Sequence, residues 1–582
     1  MDSYSLTIAI SVVVFAAIGG YSGRSVKSID DYFVAGRRAP TLLIVGTLVA
    51  SLFSTSVFLG EAGFTYDGWV GPYLLLPGIA ITGYIYGALF FGTFLRRSRA
   101  PTVADYLGQR FRSRRVQRAA GATIVLGLGG YLLVVTQGSA ILLADITPLS
   151  YGQAVVVAWI SYTAFTLYAG SKGVVITDTL MFLLFCGATV LFGYFVFDGF
   201  GGVGQAIETL TRESPKPDIT AWHGTIGEGT DWPTAWDFLI WLVIVDGAWS
   251  LVYAVGPWQA SRHLMARDEH VVLRGAIYAS FAIIFLQILI YGTGGIINLA
   301  DPAIEPSERV IVWASQHLVP ELLGALMLAG IAAAGLSSAS TFLSLVGFSL
   351  SNDVGPERGA LQLRTTRLLM GGFAVVVLIL ALNLPANVFW IMLFIGTVFA
   401  SSWGPVALMS VWSRSITANG AFWGIVAGFF GNVVPAALVY FGVISLPSYL
   451  DPAVLGGAAS LLVIYLFARR EQPSDEERTY RKQLHETPET DRDADKVRTT
   501  LIAPVLLVTY GVLMPFLLLN FYVRPVQRGR GTIGPGDSLN WSEAEPWIAF
   551  GPALLFIPLG IVAAIVIWRR YHPLTRNAVA HA

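Results

Sequence analysis

Residues 321–350, ELLGALMLAGIAAAGLSSASTFLSLVGFSL, form a long apolar run with hydroxyls clustered at Ser337, Ser338, Ser340 and Thr341. Hydroxyl and carbonyl oxygens are what a hard cation such as Na+ binds. A lipid-facing helix gains nothing from such a cluster, whereas a helix lining a polar cavity does. The competing reading is local: membrane serines also bond back to a carbonyl one turn earlier, or join helices. Two acids, Asp178 and Asp246, fall inside other apolar runs. Charge inside a bilayer is costly and marks a functional site by default. Asp246 lies midway along DFLIWLVIVDGAWSLVYAVGP (237–257). It could meet the ammonium of a solute, take up a proton, or bond to neighbouring amides. Trp249, one helical turn on, lines the same cavity or packs. Ser54 and Ser56, in LLIVGTLVASLFSTSVFLGEAGF, are further candidates for solute contact.

These residues must be positioned by membrane helices. Of 582 residues, 54% are hydrophobic and 13% charged, which excludes an ordinary soluble domain. Apolar runs of about 20 residues recur along the chain. They predict spans near 4–23, 40–61, 71–95, 118–143, 150–169, 174–198, 237–257, 275–297, 321–350, 368–384, 387–412, 419–441, 451–468, 501–522 and 547–568. The expectation is an all-α polytopic membrane protein with 13–15 crossings. The head MDSYSL has no basic residue, so the first span is not expected to be a cleaved signal peptide. With an outside N-terminus, 31 of the 37 Lys and Arg fall in inside segments, every one of them in a loop. The C-terminus is then inside. The single cysteine, Cys186, excludes an intramolecular disulfide and a cysteine metal cluster. No Gly-rich phosphate loop with Lys-Ser/Thr is present to drive transport by ATP.

The chain divides by composition and parity. A first helix and loop (1–39) precede two sets of five crossings, 40–198 and 237–412, which insert with opposite orientation. Such inverted repeats carry broken helices at the repeat starts and a site at the midplane. Gly46, Gly60 and the hydroxyls between them mark the first break; Gly247, Gly256 and Pro257 mark the second. Loop 199–236, with Trp222, Trp232 and Trp236, caps the outer mouth or forms an interfacial aromatic belt. Two accessory helices (413–468) follow. The segment 469–500 carries dense charge of both signs and reads as a solvated, partly disordered connector on the cytoplasmic side. Two last helices and a tail (501–582) complete the chain.

Several segments resemble the sodium/solute symporter family, which includes bacterial sodium/proline and sodium/galactose transporters. SIDDYFVAGRRAP (28–40), RAPTVADYLGQRF (99–111), YAGSKGVVITDTLMF (168–182), AAAGLSSASTFLSLVGFSLSNDV (332–354) and WGPVALMSVWSRSITANGAFWGIVAG (403–428) match its motifs in order. Met181 stands where Gln is usual. The resemblance covers about residues 28–430 and implies a five-plus-five inverted-repeat core. It also implies a Na+ site built from the carbonyls of Ala50, Phe53 and Ala334 and the hydroxyls of Ser337 and Ser338. Ser338 lies four residues after Ala334, on one helical face. Asp178 matches the family's Thr-Asp dipeptide, which implies a secondary cation or release site; a structural acid at a helix end is the alternative. Leu52 stands where some relatives carry Asp or Asn. The apolar stretch 73–83, with Leu251 and Ala254, lacks the partners that sugar hydroxyls need.

The function these features imply is Na+-coupled symport of a small organic solute into the cell by alternating access. An amino acid, betaine or small carboxylate fits better than a sugar. Na+ is the expected coupling ion, with no organic cofactor, no enzymatic activity, no nucleic-acid partner and no obligate protein partner. The bilayer is the cytoplasmic membrane. Two alternatives stand beside this reading. A membrane sensor using the same fold would need an output domain, for which 469–500 is too short; a proton-coupled transporter would use Asp246 as its carrier.

Overall fold

The computed structural model describes residues 3–76, 78–355 and 363–572. Asp2, Pro77, Arg358, Arg576 and the tail beyond His572, which entered the topology and site readings above, lie outside them. The described residues are built from helices. Helix α1 (Ser3–Gly23) is followed by α2 (Thr41–Leu52), α3 (Ser56–Leu75) and α4 (82–98). Next come α5 (Arg114–Ile146), α6 (Tyr151–Gly199), α7 (Ala235–Val255), α8 (Pro257–Met265) and α9 (Glu269–Ile296). Helices α10 (Glu321–Phe348), α11 (Leu363–Asn383) and α12 (Val388–Trp412) end the body of the molecule. Then follow α13 (Ala418–Tyr440), α14 (Pro452–Arg470), the short α15 (Asp475–Leu484), α16 (Ala494–Leu518) and α17 (Gly551–Tyr571).

Twelve of these helical stretches are long and apolar enough to cross a membrane, and thirteen when the bent pair α2–α3 is one span. The expected runs 150–169 and 174–198 are two helical segments that meet at a kink at Gly170, and they are labelled together as α6. Gly170 has φ +56°, and a Cβ there would lie 2.3 Å from the Tyr32 ring. Only glycine meets both demands. The expected run 71–95 is interrupted: α3 ends at Leu75, and α4 starts again at Thr82.

Burial separates centre from rim. The apolar stretch Glu321–Val354 is 83% buried, against 28% for Ser3–Gly23. The small residues of α10 let its neighbours approach closely. A Cβ at Gly330 would meet the Phe185 backbone of α6 at 3.1 Å, and one at Gly335 would meet Ser139 of α5 at 2.6 Å. Helix α10 thus sits between α5, α6 and the break that joins α2 to α3.

The break lies at Phe53–Thr55, where no glycine stands. Phe53 is extended (ψ 115°), and its N–H closes the last turn on the Val49 carbonyl at 2.9 Å. Ser54 then accepts the Ser56 N–H at 3.1 Å, and the chain bends by 54°. Gly46 serves packing instead: a Cβ there would lie 2.5 Å from Thr179 Oγ1 of α6. In the second half the break is at Gly256 (ψ 139°), with Pro257 opening α8 where its missing N–H costs nothing. Gly247 is mid-helix.

Two charged or aromatic segments are more ordered than their composition suggests. Segment 469–500 was expected to be solvated and partly disordered; it is folded against the helical body. Helix α15 opens with a capping box between Ser474 and Glu477. Arg97 donates to the Leu484 carbonyl (2.8 Å), Arg110 to the Glu477 carbonyl (3.3 Å), and Tyr480 to Gln109 (3.0 Å). Arginines at the end of α4 and in the helix after it thus bind backbone carbonyls of the segment and order it, while acids such as Asp475 and Glu476 stay exposed. In loop 199–236 the Ile219 carbonyl accepts the Gly71 N–H at 3.0 Å, and Trp232 is buried against Trp69 and Trp241. That half of the loop caps α3, while Trp236 remains exposed.

Candidate functional site

Among the described residues, three clusters of buried polar groups hold the candidate site residues. The first is at the α2–α3 break. A helix end leaves carbonyls without an onward N–H, and an unsatisfied one in an apolar interior is costly. Ser338 of α10 answers that need: its hydroxyl is 3.1 Å from the Phe53 carbonyl and 3.5 Å from that of Ala50. Ala50, Phe53, Ala334 and Ser338 are all fully buried. Ala334 precedes Ser338 by one turn on the same face. The oxygens gathered here are uncharged, hard and inaccessible to solvent. They suit a cation bound without a carboxylate.

The second cluster surrounds Asp178 of α6. Its carboxylate accepts from Thr47 of α2 and Ser337 of α10, each at 2.6 Å. Arg262 of α8 lies 3.5 Å away and also donates to Thr341. Four helices therefore meet on one acid. The pair is buried, with side-chain exposures of 2% and 0%. This corrects the expectation that every basic residue occupies a loop: Arg262 is on a helix in the interior. The hydroxyl run of α10 divides accordingly. Ser338 faces the break, Ser337 and Thr341 face the Asp178–Arg262 pair, and Ser340 bonds back to the Ser337 carbonyl at 2.8 Å. The cation-facing and local readings each hold for part of the run.

The third cluster contains Asp246, which lies apart from the first two. It lines a cavity of about 60 Å3 with Pro72, Tyr73, Ile284, Gln287 and Tyr291. A second acid joins it. Glu61, only 9% exposed, accepts a hydrogen bond from Tyr291, which lines the same cavity as Asp246. The sequence reading counted two interior acids and missed this third one, because it ended the span at Glu61. The helix runs on to Leu75, and the polar residues around Asp67 masked its length. Of the other solute candidates, Ser54 is spent on capping α3. Ser56 Oγ and Trp249 Nε1 are buried with no hydrogen-bond partner among the described residues. Trp249 packs on Tyr253 (5.4 Å between ring centres) and against Gly396. Leu52 is buried and apolar.

Comparison with known proteins agrees with this architecture. The sodium:solute symporter family model matches residues 32–428. The sodium/pantothenate symporter of Escherichia coli is 25% identical over 72% of this chain and 88% of its own length. The sodium/proline symporter of Salmonella typhimurium is 23% identical over 82% of this chain and 96% of its own. Among solved structures, a substrate-bound, outward-open Na+-coupled sialic acid symporter superposes with a TM-score of 0.66 at 16% identity, covering 82% of this chain and 99% of its own. A nucleobase-cation-symport-1 family transporter in a closed conformation gives a TM-score of 0.52 at 13% identity, over 79% and 99%. The fold is the all-α, five-plus-five inverted-repeat transporter core. The family match spans more than half the chain, and this chain belongs to the sodium:solute symporter family.

Proposed function

We propose that this protein is a Na+-coupled symporter of the cytoplasmic membrane that imports a small organic solute by alternating access. The observation that carries the reading is the convergence of the Ser338 hydroxyl on the Ala50 and Phe53 carbonyls at a helix break. In the proposed site these three oxygens, the Ala334 carbonyl and the Ser337 hydroxyl hold one Na+. Ser337 donates its proton to Asp178, so its lone pairs stay available to the ion. Asp178 is one hydroxyl removed from the ion and is proposed to act in Na+ release. The driving force suffices: one Na+ gains about 2.3 kcal/mol per 100 mV of membrane potential. An amino acid or betaine fits the polar groups of α3 and α7 better than a sugar does.

Uptake into membrane vesicles under imposed gradients is the test. Ser338→Ala should raise the Na+ concentration for half-maximal uptake at least tenfold, while Ser340→Ala, whose hydroxyl only bonds back within α10, should stay within about twofold. Equal effects from the two would remove the ion from this break. Uptake driven by H+ without Na+ would favour a proton-coupled transporter, and no uptake under either gradient would favour a sensor. The proposed orientation has loop 199–236 outside and 469–500 inside. It is tested by labelling cysteines placed at Glu228 and Asp475 in intact cells, in a Cys186→Ser background; both positions are exposed. Gly229 is less suitable, since φ +88° strains any side chain there. Only position 228 should react.

A further inference from the structure

We propose that Glu61 and Asp246 form the recognition site for a cationic nitrogen of the transported solute, a primary or methylated ammonium. The inference rests on the symporter reading above and narrows its solute class.

The two acids come from different helices, α3 and α7: Asp246 lines a cavity of about 60 Å3, and Tyr291, in the wall of that cavity, donates to Glu61 behind it. That volume is about that of two liquid waters, room for an ammonium headgroup. Neither carboxylate has an arginine, lysine or histidine against it among the described residues. Among the described residues the hydrogen bond that Glu61 accepts comes from Tyr291. The walls are aromatic. Tyr73 stands edge-on to Tyr291 at 4.8 Å, and both Tyr73 and Tyr253 lie within electrostatic reach of both acids. Carboxylates set among tyrosine rings are what an organic ammonium binds, through ion pairing and through the negative ring faces. Apolar Ile284 and Pro72 complete the wall, which suits the carbon skeleton of an organic cation. It opposes a solute whose only charge is a carboxylate.

Two further polar groups point to the same ligand. Ser56 precedes Glu61 by one π-type turn, and Trp249 follows Asp246 by one α-turn. Both therefore lie one turn deeper, toward the break, on the faces that carry the acids. The Ser56 hydroxyl is fully buried and the Trp249 indole 6% exposed, and both lack a partner among the described residues. A buried donor left unpaired is costly, and a solute running inward from the acids would pair these two.

The test uses the purified full-length protein in lipid nanodiscs at constant ionic strength, with tryptophan fluorescence and the thermal midpoint as readouts. Ethylammonium and choline chlorides are the cationic probes; sodium butyrate is the anionic one. Ethylammonium or choline should give a saturable response that strengthens with Na+, and butyrate none. Glu61→Gln and Asp246→Asn, which keep side-chain size, should each weaken that response at least tenfold and leave stabilisation by Na+ alone unchanged. Tyr291→Phe keeps both charges and should bind within about threefold of the parent, which separates charge from general pocket polarity. A response unchanged in both acid variants overturns the proposal. So does preferential binding of butyrate, or a response to pH with none to either ammonium, which would make the acids a proton site. If Na+ stabilises the protein while both ammonium probes are inert, this inference fails and the symporter reading stands. If Na+ itself has no effect, the symporter reading fails with it.

Discussion

Asp178 and Asp246 are both carboxylates on apolar helices, yet one is surrounded by donors and the other, among the described residues, by none. Asp178 has two hydroxyls at 2.6 Å and a guanidinium at 3.5 Å. Asp246 has a second carboxylate nearby and a cavity. The free energy of a buried charge depends on its partners, so the two acids have opposite effects on the free protein. The Asp178 cluster joins α2, α6, α8 and α10 without help from any ligand. Under the proposal above, the Glu61–Asp246 pair stores unfavourable energy that a cation would release. What already pairs with each acid thus separates one that is complete in the free protein from one left open to a ligand.

The comparison breaks most sharply at Asp178. Asp178→Asn leaves Arg262 buried beside a neutral group, and it should cost about 3–5 kcal/mol of stability. Arg262→Met in the same chain should recover most of that loss. Thermal midpoints of the single and double variants in detergent check this. An Asp178→Asn protein as stable as the parent would mean that the pair holds nothing together.

Gly46→Ala tests the same cluster from its packing side. The new methyl would meet Thr179, the residue after Asp178, at 2.5 Å, and the Thr179 Cα at 2.7 Å. Helix α2 must then move off α6, with an expected cost of about 1–3 kcal/mol. Na+ affinity should fall as well, because α2 carries the Ala50 and Phe53 carbonyls. A stable variant with unchanged Na+ affinity would show that the two helices are not held in register here.

Much of this was legible in the sequence, for stated reasons. Apolar length and the hydroxyl run located the spans and the face of α10 that meets the break. What could not be read was which partner each hydroxyl would choose, since Ser337, Ser338 and Ser340 are alike until α2 and α6 are docked beside them. Arg262 was assigned to a loop because it follows Gly256-Pro257, a stop signal; in the fold that signal only bends the chain before α8. Glu61 was hidden by a span boundary. The connector was misread because its mixed charges suggested solvation, whereas its partners, Arg97, Arg110 and Gln109, lie hundreds of residues away in sequence.

The Glu61–Asp246 side of the comparison predicts the opposite sign from Asp178. Without solute, Glu61→Gln and Asp246→Asn should each leave the protein as stable as the parent or more so. Their combination should gain less than the sum, because the mutual repulsion is removed by the first change. The coupling should lie near 1 kcal/mol, within the range of about 0.5–3 kcal/mol for interacting neighbours. Thermal midpoints of the four proteins at pH 8, where exposed acids are ionised, measure it. Additive gains would place the two carboxylates beyond each other's field and dissolve the shared site.

The smallest effect belongs to a third pair, at the end of α3 that loop 199–236 caps. Lys216, in the loop that caps this helix, donates to the Tyr66 carbonyl at 2.8 Å and lies 3.4 Å over the Tyr66 ring. Asp67 is 3.9 Å from it. Burial lowers the Lys216 ammonium to about 8, against the pull of Asp67 in the other direction. The unfolded chain, with an ordinary lysine near 10.5, then binds more protons than the folded one between those two values. Stability should therefore rise with pH from about 8 toward 10.5, as the cost of holding this charged lysine under the cap disappears. Lys216→Met has no such group, so the difference in thermal midpoint between parent and variant should shift in the parent's favour across that window. A difference that stays flat from pH 7 to 10 would mean that Asp67 and the Tyr66 ring already compensate the charge. The cap would then resemble the Asp178 cluster, complete without a ligand, and not the acid pair, whose Glu61 lies one turn below it on the same helix.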